Sequence, residues 1–296
     1  MSRLQRADLW LTWSATRRLG AVSAALARPF VTRLWFMPWK TTTSATAAER
    51  EAGWLAGTEP LRLRAGRRWV TGFAAGAGPT VLLVHGWGDH AARMGGFVGP
   101  LVAAGFRVVA IDLPGHGPGR PRRTDIPTQA AAIRVVADAL GGVHAVIGHS
   151  LGATVTIMAL RDGLAAESVV LLAPAVRLDH AVERFREMLA VPDPAIRGLR
   201  RGIERRFGAT VWDDYAADTV AATLEQRALL VHDAADTQVD LADGRRLAAA
   251  WPGARLLETS GLGHQRILRD PAVVSAAVEF VAGRQVKRQP ERAVAS

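Results

Sequence analysis

A chain of 296 residues is long enough to bury the core of one α/β domain with additions. It has no cysteine, which excludes disulfides, a thiol nucleophile and thiolate-bound metal. The net charge of +10 is almost all arginine and gathers at the two ends: residues 1–40 hold seven basic groups against Asp8 alone, and residues 284–296 hold four against Glu291. No nucleic-acid-binding motif accompanies that charge, so no nucleic-acid partner is expected.

Residues 1–56 read as a helical N-terminal extension rich in Trp and Arg. Trp10, Trp13, Trp35 and Trp39 lie among arginines, and no apolar run approaches the ~20 residues that span a bilayer. Arg17-Arg18 followed by Leu19 to Ala27 gives only a short outline of a cleaved leader, so the expected location is cytoplasmic. Two readings of residues 1–40 stand. One is a helix packing its Trp/Leu face on the domain; the other is an interfacial helix making peripheral membrane contact. Thr46-Ala47-Ala48-Glu49 then reads as a capping box opening a short helix. Leu61–Arg64 and Trp69–Phe73 flank Ala65-Gly66-Arg67-Arg68, which predicts an antiparallel hairpin.

Beyond Pro79 the pattern changes. Val81–Val84, Val108–Ile111, Ala145–Ile147, Val169–Leu172, Leu229–Val231 and Arg255–Leu257 are apolar without alternation, as in strands buried on both faces of a parallel sheet. The segments 91–104, 128–140, 151–160 and 241–250 are long enough for crossover helices, and 271–282 supplies a closing helix. About fifty residues, 177–227, separate two of the strands, too many for one crossover. They predict a small helical cap inserted over the sheet, or else a run of ordinary core helices. Cap arginines and acids balance, so it carries no net field. The domain is taken as residues 57–283, with residues 284–296 a disordered tail.

Gly148-His149-Ser150-Leu151-Gly152 joins a strand to a helix, the setting in which Gly-x-Ser-x-Gly projects a serine hydroxyl above a sheet edge. Ser150 is the candidate nucleophile. A serine needs a base, usually a histidine oriented by a carboxylate. Of the downstream histidines, His180 falls at the start of the cap and His232 ends a strand. His264, in the glycine-rich Gly261-Leu262-Gly263-His264 loop, is the candidate base. Asp236 is the favoured orienting acid, and Asp233 the alternative, read as a turn cap. The backbone amides of Leu151 and Trp87 are the candidate oxyanion donors. His85, His116 and His149 read as structural histidines; His90 is left open. Met94, Phe97, Met188 and Trp212, with His149, are the candidate walls of a substrate pocket. The eight histidines show no metal-ligand spacing, so neither metal nor organic cofactor is expected.

Val-His-Gly-Trp-Gly (84–88), Asp-Leu-Pro-Gly-His-Gly (112–117), Gly-His-Ser-Leu-Gly (148–152), His-Asp-Ala-Ala-Asp (232–236) and Gly-Leu-Gly-His (261–264) occur in this order. Through them the chain resembles the α/β-hydrolase superfamily, in particular its cap-bearing, esterase-like members. The resemblance implies an α/β-hydrolase fold: a mostly parallel central sheet flanked by helices, with a small helical cap. It implies a serine hydrolase that cleaves carboxylic esters through an acyl-serine, acting on a small-molecule acyl ester. A thioesterase, lactonase or acyltransferase would use the same machinery, and a non-catalytic binding protein on this fold is the reading from another class. Serine at the elbow argues against the aspartate-ester chemistry of dehalogenation and epoxide opening. Oligomeric state and natural substrate are not legible.

Overall fold

The computed structural model describes residues 24–39, 44–65, 68–117 and 122–283. Its frame is one eight-stranded sheet. The strands are β1 (Glu59–Ala65), β2 (Arg68–Ala75), β3 (Thr80–Val84), β4 (Arg107–Ile111), β5 (Ala145–His149), β6 (Ser168–Leu172), β7 (Arg227–Asp233) and β8 (Arg255–Thr259). They lie in the order β1-β2-β4-β3-β5-β6-β7-β8. β1 and β2 form the hairpin and β2 joins β4 antiparallel; every later pairing is parallel.

The apolar runs follow from position in this sheet. Every residue of β3, β5 and β6 is buried, because helices cover both faces, whereas edge strand β1 alternates between exposed and part-buried positions. Successive residues serve opposite layers: Leu82, Val84 and Val146 join one core cluster, while Val81, Leu83 and Ile147 join the other.

The chain opens with α1 (Ala24–Trp35) and α2 (Ala45–Leu55). Ser44, not Thr46, is the N-cap of α2, its hydroxyl accepting from the Ala47 amide, so the helix begins earlier than the capping-box pattern suggests. Between β3 and β4 a 3₁₀ turn (Ala91–Phe97) precedes α3 (Val98–Ala103). α4 (Ile126–Ala139) follows β4, and α5 (Leu151–Arg161) follows β5. α5 runs through the interior, with every residue from Gly152 to Leu160 buried. Four helices lie between β6 and β7: α6 (Leu178–Leu189), α7 (Asp193–Phe207), α8 (Val211–Asp214) and α9 (Ala217–Ala221). They form the cap. α10 (Leu241–Ala250), the short α11 (Gly263–Arg266) and α12 (Pro271–Val281) complete the chain.

α1 docks on the cap. Its Val31 and Leu34 are buried with Val182, Phe185 and Leu199, and Trp35, Phe36 and Trp39 pack against the same cluster. Over residues 24–39 the interfacial reading is therefore not supported, because the apolar side that would meet lipid is spent on the cap. Trp10, Trp13 and the tail 284–296 lie outside the described residues. No helix among the described residues is long and apolar enough to cross a membrane.

Candidate active site

β5 ends at His149, and α5 begins at Leu151, so the whole reversal falls on Ser150. Its φ of 53° and ψ of −121° make it one of three non-glycine residues at positive φ among the described residues. Such a conformation persists only where its surroundings enforce it. The two flanking glycines show what enforces it here. A Cβ on Gly152 would lie 2.4 Å from the His85 carbonyl oxygen, and one on Gly148 2.9 Å from Ala153 Cα. A larger residue at either position would push strand and helix apart and relax the turn. A Cβ on Gly86 would come within 3.1 Å of Ser150 Cβ, so the loop after β3 lies directly against the serine.

His264 is buried at the start of α11. Its Nδ1 lies 2.7 Å from Asp236 Oδ2, in a pair almost wholly removed from solvent. Asp236 also accepts the Gln238 and Val239 amides at 2.7 and 3.0 Å. Burial by itself would raise this carboxyl; the His264 hydrogen bond and charge, with the two amides, outweigh it and hold it below the ordinary carboxylate range. Asp233 does different work. It accepts from the amides of Ala235, Leu262 and Gly263 and from the Thr259 hydroxyl, tying β7 to the loop that carries His264. His232 is fully buried, with Nε2 3.0 Å from the Val239 carbonyl and 3.7 Å from Asp236.

The loop after β3 is held by two histidines. His85 Nδ1 meets the Gly86 carbonyl at 2.7 Å, and His85 Nε2 accepts the Leu113 amide at 3.0 Å. His116 Nε2 accepts the Gly88 amide at 3.0 Å, and its ring packs against Trp87. Accepting an amide requires an unprotonated nitrogen. Burial pushes His85 down to about 4 and His116 to about 3, so both stay neutral and keep Trp87 in place. His149 stacks at a tilt on His264, 4.7 Å between ring centroids, and its Nε2 lies 3.0 Å from the His264 carbonyl. Burial, and then the neighbouring His264, lower it to about 3. It is a strut beneath the candidate base. His90 turns onto Glu51 of α2, 2.9 Å away.

Ser150, Leu151, Trp87, His149, Asp236 and His264 all line one cavity of about 880 Å³ roofed by the cap. Met188, 60% exposed, stands at its rim. Three of the predicted wall residues do not line it. Met94 and Phe97 are fully buried in the core layer with Leu101 and Ile267, because the 3₁₀ turn packs its apolar side on the sheet. Trp212 donates to Glu204 at 2.9 Å and lies under the Arg200 guanidinium, 4.1 Å away, on the cap itself. In their place the cavity takes Leu34, Trp35, Phe36 and Trp39 from the N-terminal segment, and His180, which meets Asp243 at 3.1 Å. Nothing in the local sequence marked these; they arrive by docking. Among the described residues no group of three or more His, Asp or Glu could hold a metal ion.

A hydrolase-type sheet, a serine on a strained strand-to-helix turn and a buried histidine–carboxylate pair in one cavity define the class. The family comparison agrees: residues 81–277 match the model of the alpha/beta hydrolase family, and the chain belongs to it. It is similar to a pimeloyl-[acyl-carrier protein] methyl ester esterase of Methylococcus capsulatus, 44% identical over 87 residues, covering 29% of this chain and only 33% of that relative's length. A protein of the same name from Stenotrophomonas maltophilia is 29% identical over 234 residues, covering 71% of this chain and 83% of its own. Among solved structures, an esterase from Rhodococcus superposes with a TM-score of 0.59 at 21% identity, covering 77% of this chain and all of that one. That last likeness speaks to fold alone.

Proposed function

We propose that this chain is a carboxylic-ester hydrolase working through an acyl-Ser150 intermediate. The observation that carries the reading is the strained Ser150 sharing a single cavity with the His264–Asp236 pair. The relatives named as methyl ester esterases point the same way.

With Nδ1–H donated to Asp236, His264 keeps its lone pair on Nε2, the tautomer a general base needs. Nε2 takes the Ser150 proton as Oγ attacks the ester carbonyl. The negative charge that forms on the carbonyl oxygen is met by the amides of Leu151 and Trp87. Leu151 is the first residue of α5, so its N–H has no acceptor within the helix. Imidazolium then gives its proton to the departing alkoxide, leaving acyl-serine and free alcohol. Water repeats the sequence: His264 takes its proton, hydroxide adds to the acyl carbon, and Ser150 leaves with the proton returned. Asp236 stays ionised throughout, since the amides of Gln238 and Val239 favour the carboxylate.

The test is Ser150→Ala. Turnover of p-nitrophenyl butyrate is expected to fall about 10⁴-fold or more, and labelling by a fluorophosphonate to vanish, with the melting temperature little changed. A variant keeping a tenth of wild-type turnover overturns the assignment. A thioester run in parallel decides between oxygen and sulfur leaving groups on the same machinery.

A further inference from the structure

The family match begins at residue 81, yet four residues far upstream of it, Leu34, Trp35, Phe36 and Trp39, line the cavity that holds Ser150 and His264. Resting on the ester-hydrolase reading, we propose that this N-terminal segment is the binding wall for the far end of an apolar acyl chain, with Trp35 and Trp39 setting the chain-length preference.

The segment is built to stay in place. The Phe36 carbonyl accepts the Thr124 amide at 3.0 Å, which fixes it to the loop leading into α4. The Arg206 guanidinium of α7 lies 5.6 Å from the Phe36 ring centroid and bonds Asp125 at 2.7 Å, so cap, segment and core meet at one point. The wall it presents is aromatic. Trp35 meets Phe185 of α6 edge-on at 5.3 Å, and Trp39 meets the same ring at 6.1 Å. Trp39 Nε1 donates to the Leu34 carbonyl at 3.0 Å. The indole's polar atom is thereby satisfied within the segment, and its carbon surface is left for an apolar ligand. Leu178 and Met188 continue this lining. A volume of about 880 Å³ is near the top of the ~300–1,000 Å³ range of clefts that enclose drug-sized ligands, far more than an acetyl group uses. The carbon surface of Leu34, Trp35, Phe36 and Trp39, continued by Leu178 and Met188, offers burial to methylenes.

The experiment is a series of p-nitrophenyl esters from acetate to decanoate. Each methylene buried is worth about fourfold in kcat/KM, so wild type is expected to favour the longer chains. In Trp35→Ala and Trp39→Ala the decanoate-to-acetate ratio of kcat/KM is expected to fall about tenfold. Trp35→Phe and Trp39→Phe, which keep an aromatic face and guard against loss of fold, should fall between. Trp69→Ala, an exposed tryptophan of β2, should leave the ratio where it is. The same substitutions placed on Ser150→Ala, with decanoate-ester affinity read by calorimetry, separate the subsite from the reaction. Should wild type hydrolyse no ester, the calorimetry still decides the wall. Equal losses for all chain lengths, or an unchanged decanoate affinity, would overturn the proposal.

Discussion

Two carboxylates three positions apart, Asp233 and Asp236, have different partners, and that difference makes opposite predictions for the same substitution. In Asp236→Asn the amide oxygen can still accept from Gln238 and Val239, but the amide nitrogen faces His264 Nδ1. That imposes the wrong imidazole tautomer. On the proposed mechanism kcat falls about 10⁴-fold while the melting temperature holds. Asp233→Asn instead sets a donor among three amides and a hydroxyl, all of which donate. A buried donor left without an acceptor costs about 1–3 kcal/mol, so this variant should lose stability first. Paired measurements of kcat and melting temperature check it; a stable Asp233→Asn with the larger loss of kcat reverses the roles.

At the scale of elements one carboxylate, Asp125, both caps a helix of the sheet domain and receives an arginine of the cap. Asp125 Oδ1 caps α4 through the Thr128 amide, and Oδ2 receives Arg206 from α7. Burial by itself would raise this carboxyl; the Thr128 and Arg206 hydrogen bonds bring it below the ordinary range. Arg206 is more than half exposed, so the ion pair is worth no more than about 1 kcal/mol. Asp125→Ala removes the helix cap as well, a further ~1 kcal/mol, and strands the guanidinium. Denaturant midpoints should therefore drop more for Asp125→Ala than for Arg206→Ala. Equal drops would mean that the cap bond to α4 contributes nothing.

Taken whole, the molecule holds three neutral histidines beneath its site. His85, His116 and His149 lie at about 4, 3 and 3, against 6.5 for a free imidazole. The unfolded chain binds protons at these positions below pH 6.5 and the folded chain does not, so stability falls as pH falls. Each group contributes a slope of up to about 1.4 kcal/mol per pH unit, and the three together about 4. Asp125, Asp233 and Asp236 sit below the ordinary 3.8, so their contribution is present above that value and fades only on further acidification. Urea midpoints at pH 8, 6.5, 5.5 and 4.5 should be level between the first two and then fall steeply. A level midpoint down to pH 4.5 would contradict the neutral histidines.

The parallel strands were legible because a strand covered on both faces must be apolar throughout, and the runs at 81–84, 145–147 and 169–172 have no other use. The elbow was legible because only glycine fits beside the His85 carbonyl and Ala153, which forces Gly148 and Gly152 into the sequence around Ser150. Such constraints act over a few residues, so they leave a local mark. The pocket wall was not legible. Met94 and Trp35 are equally apolar, and nothing in their neighbourhoods tells a core-facing residue from a cavity-facing one. Tertiary packing turned the 3₁₀ turn of Met94 and Phe97 inward, and it brought α1 across the sequence to the cap, where its aromatic residues close the cavity. Burial is non-directional and records only that a side chain avoids water, while the choice of which surface it meets belongs to the fold.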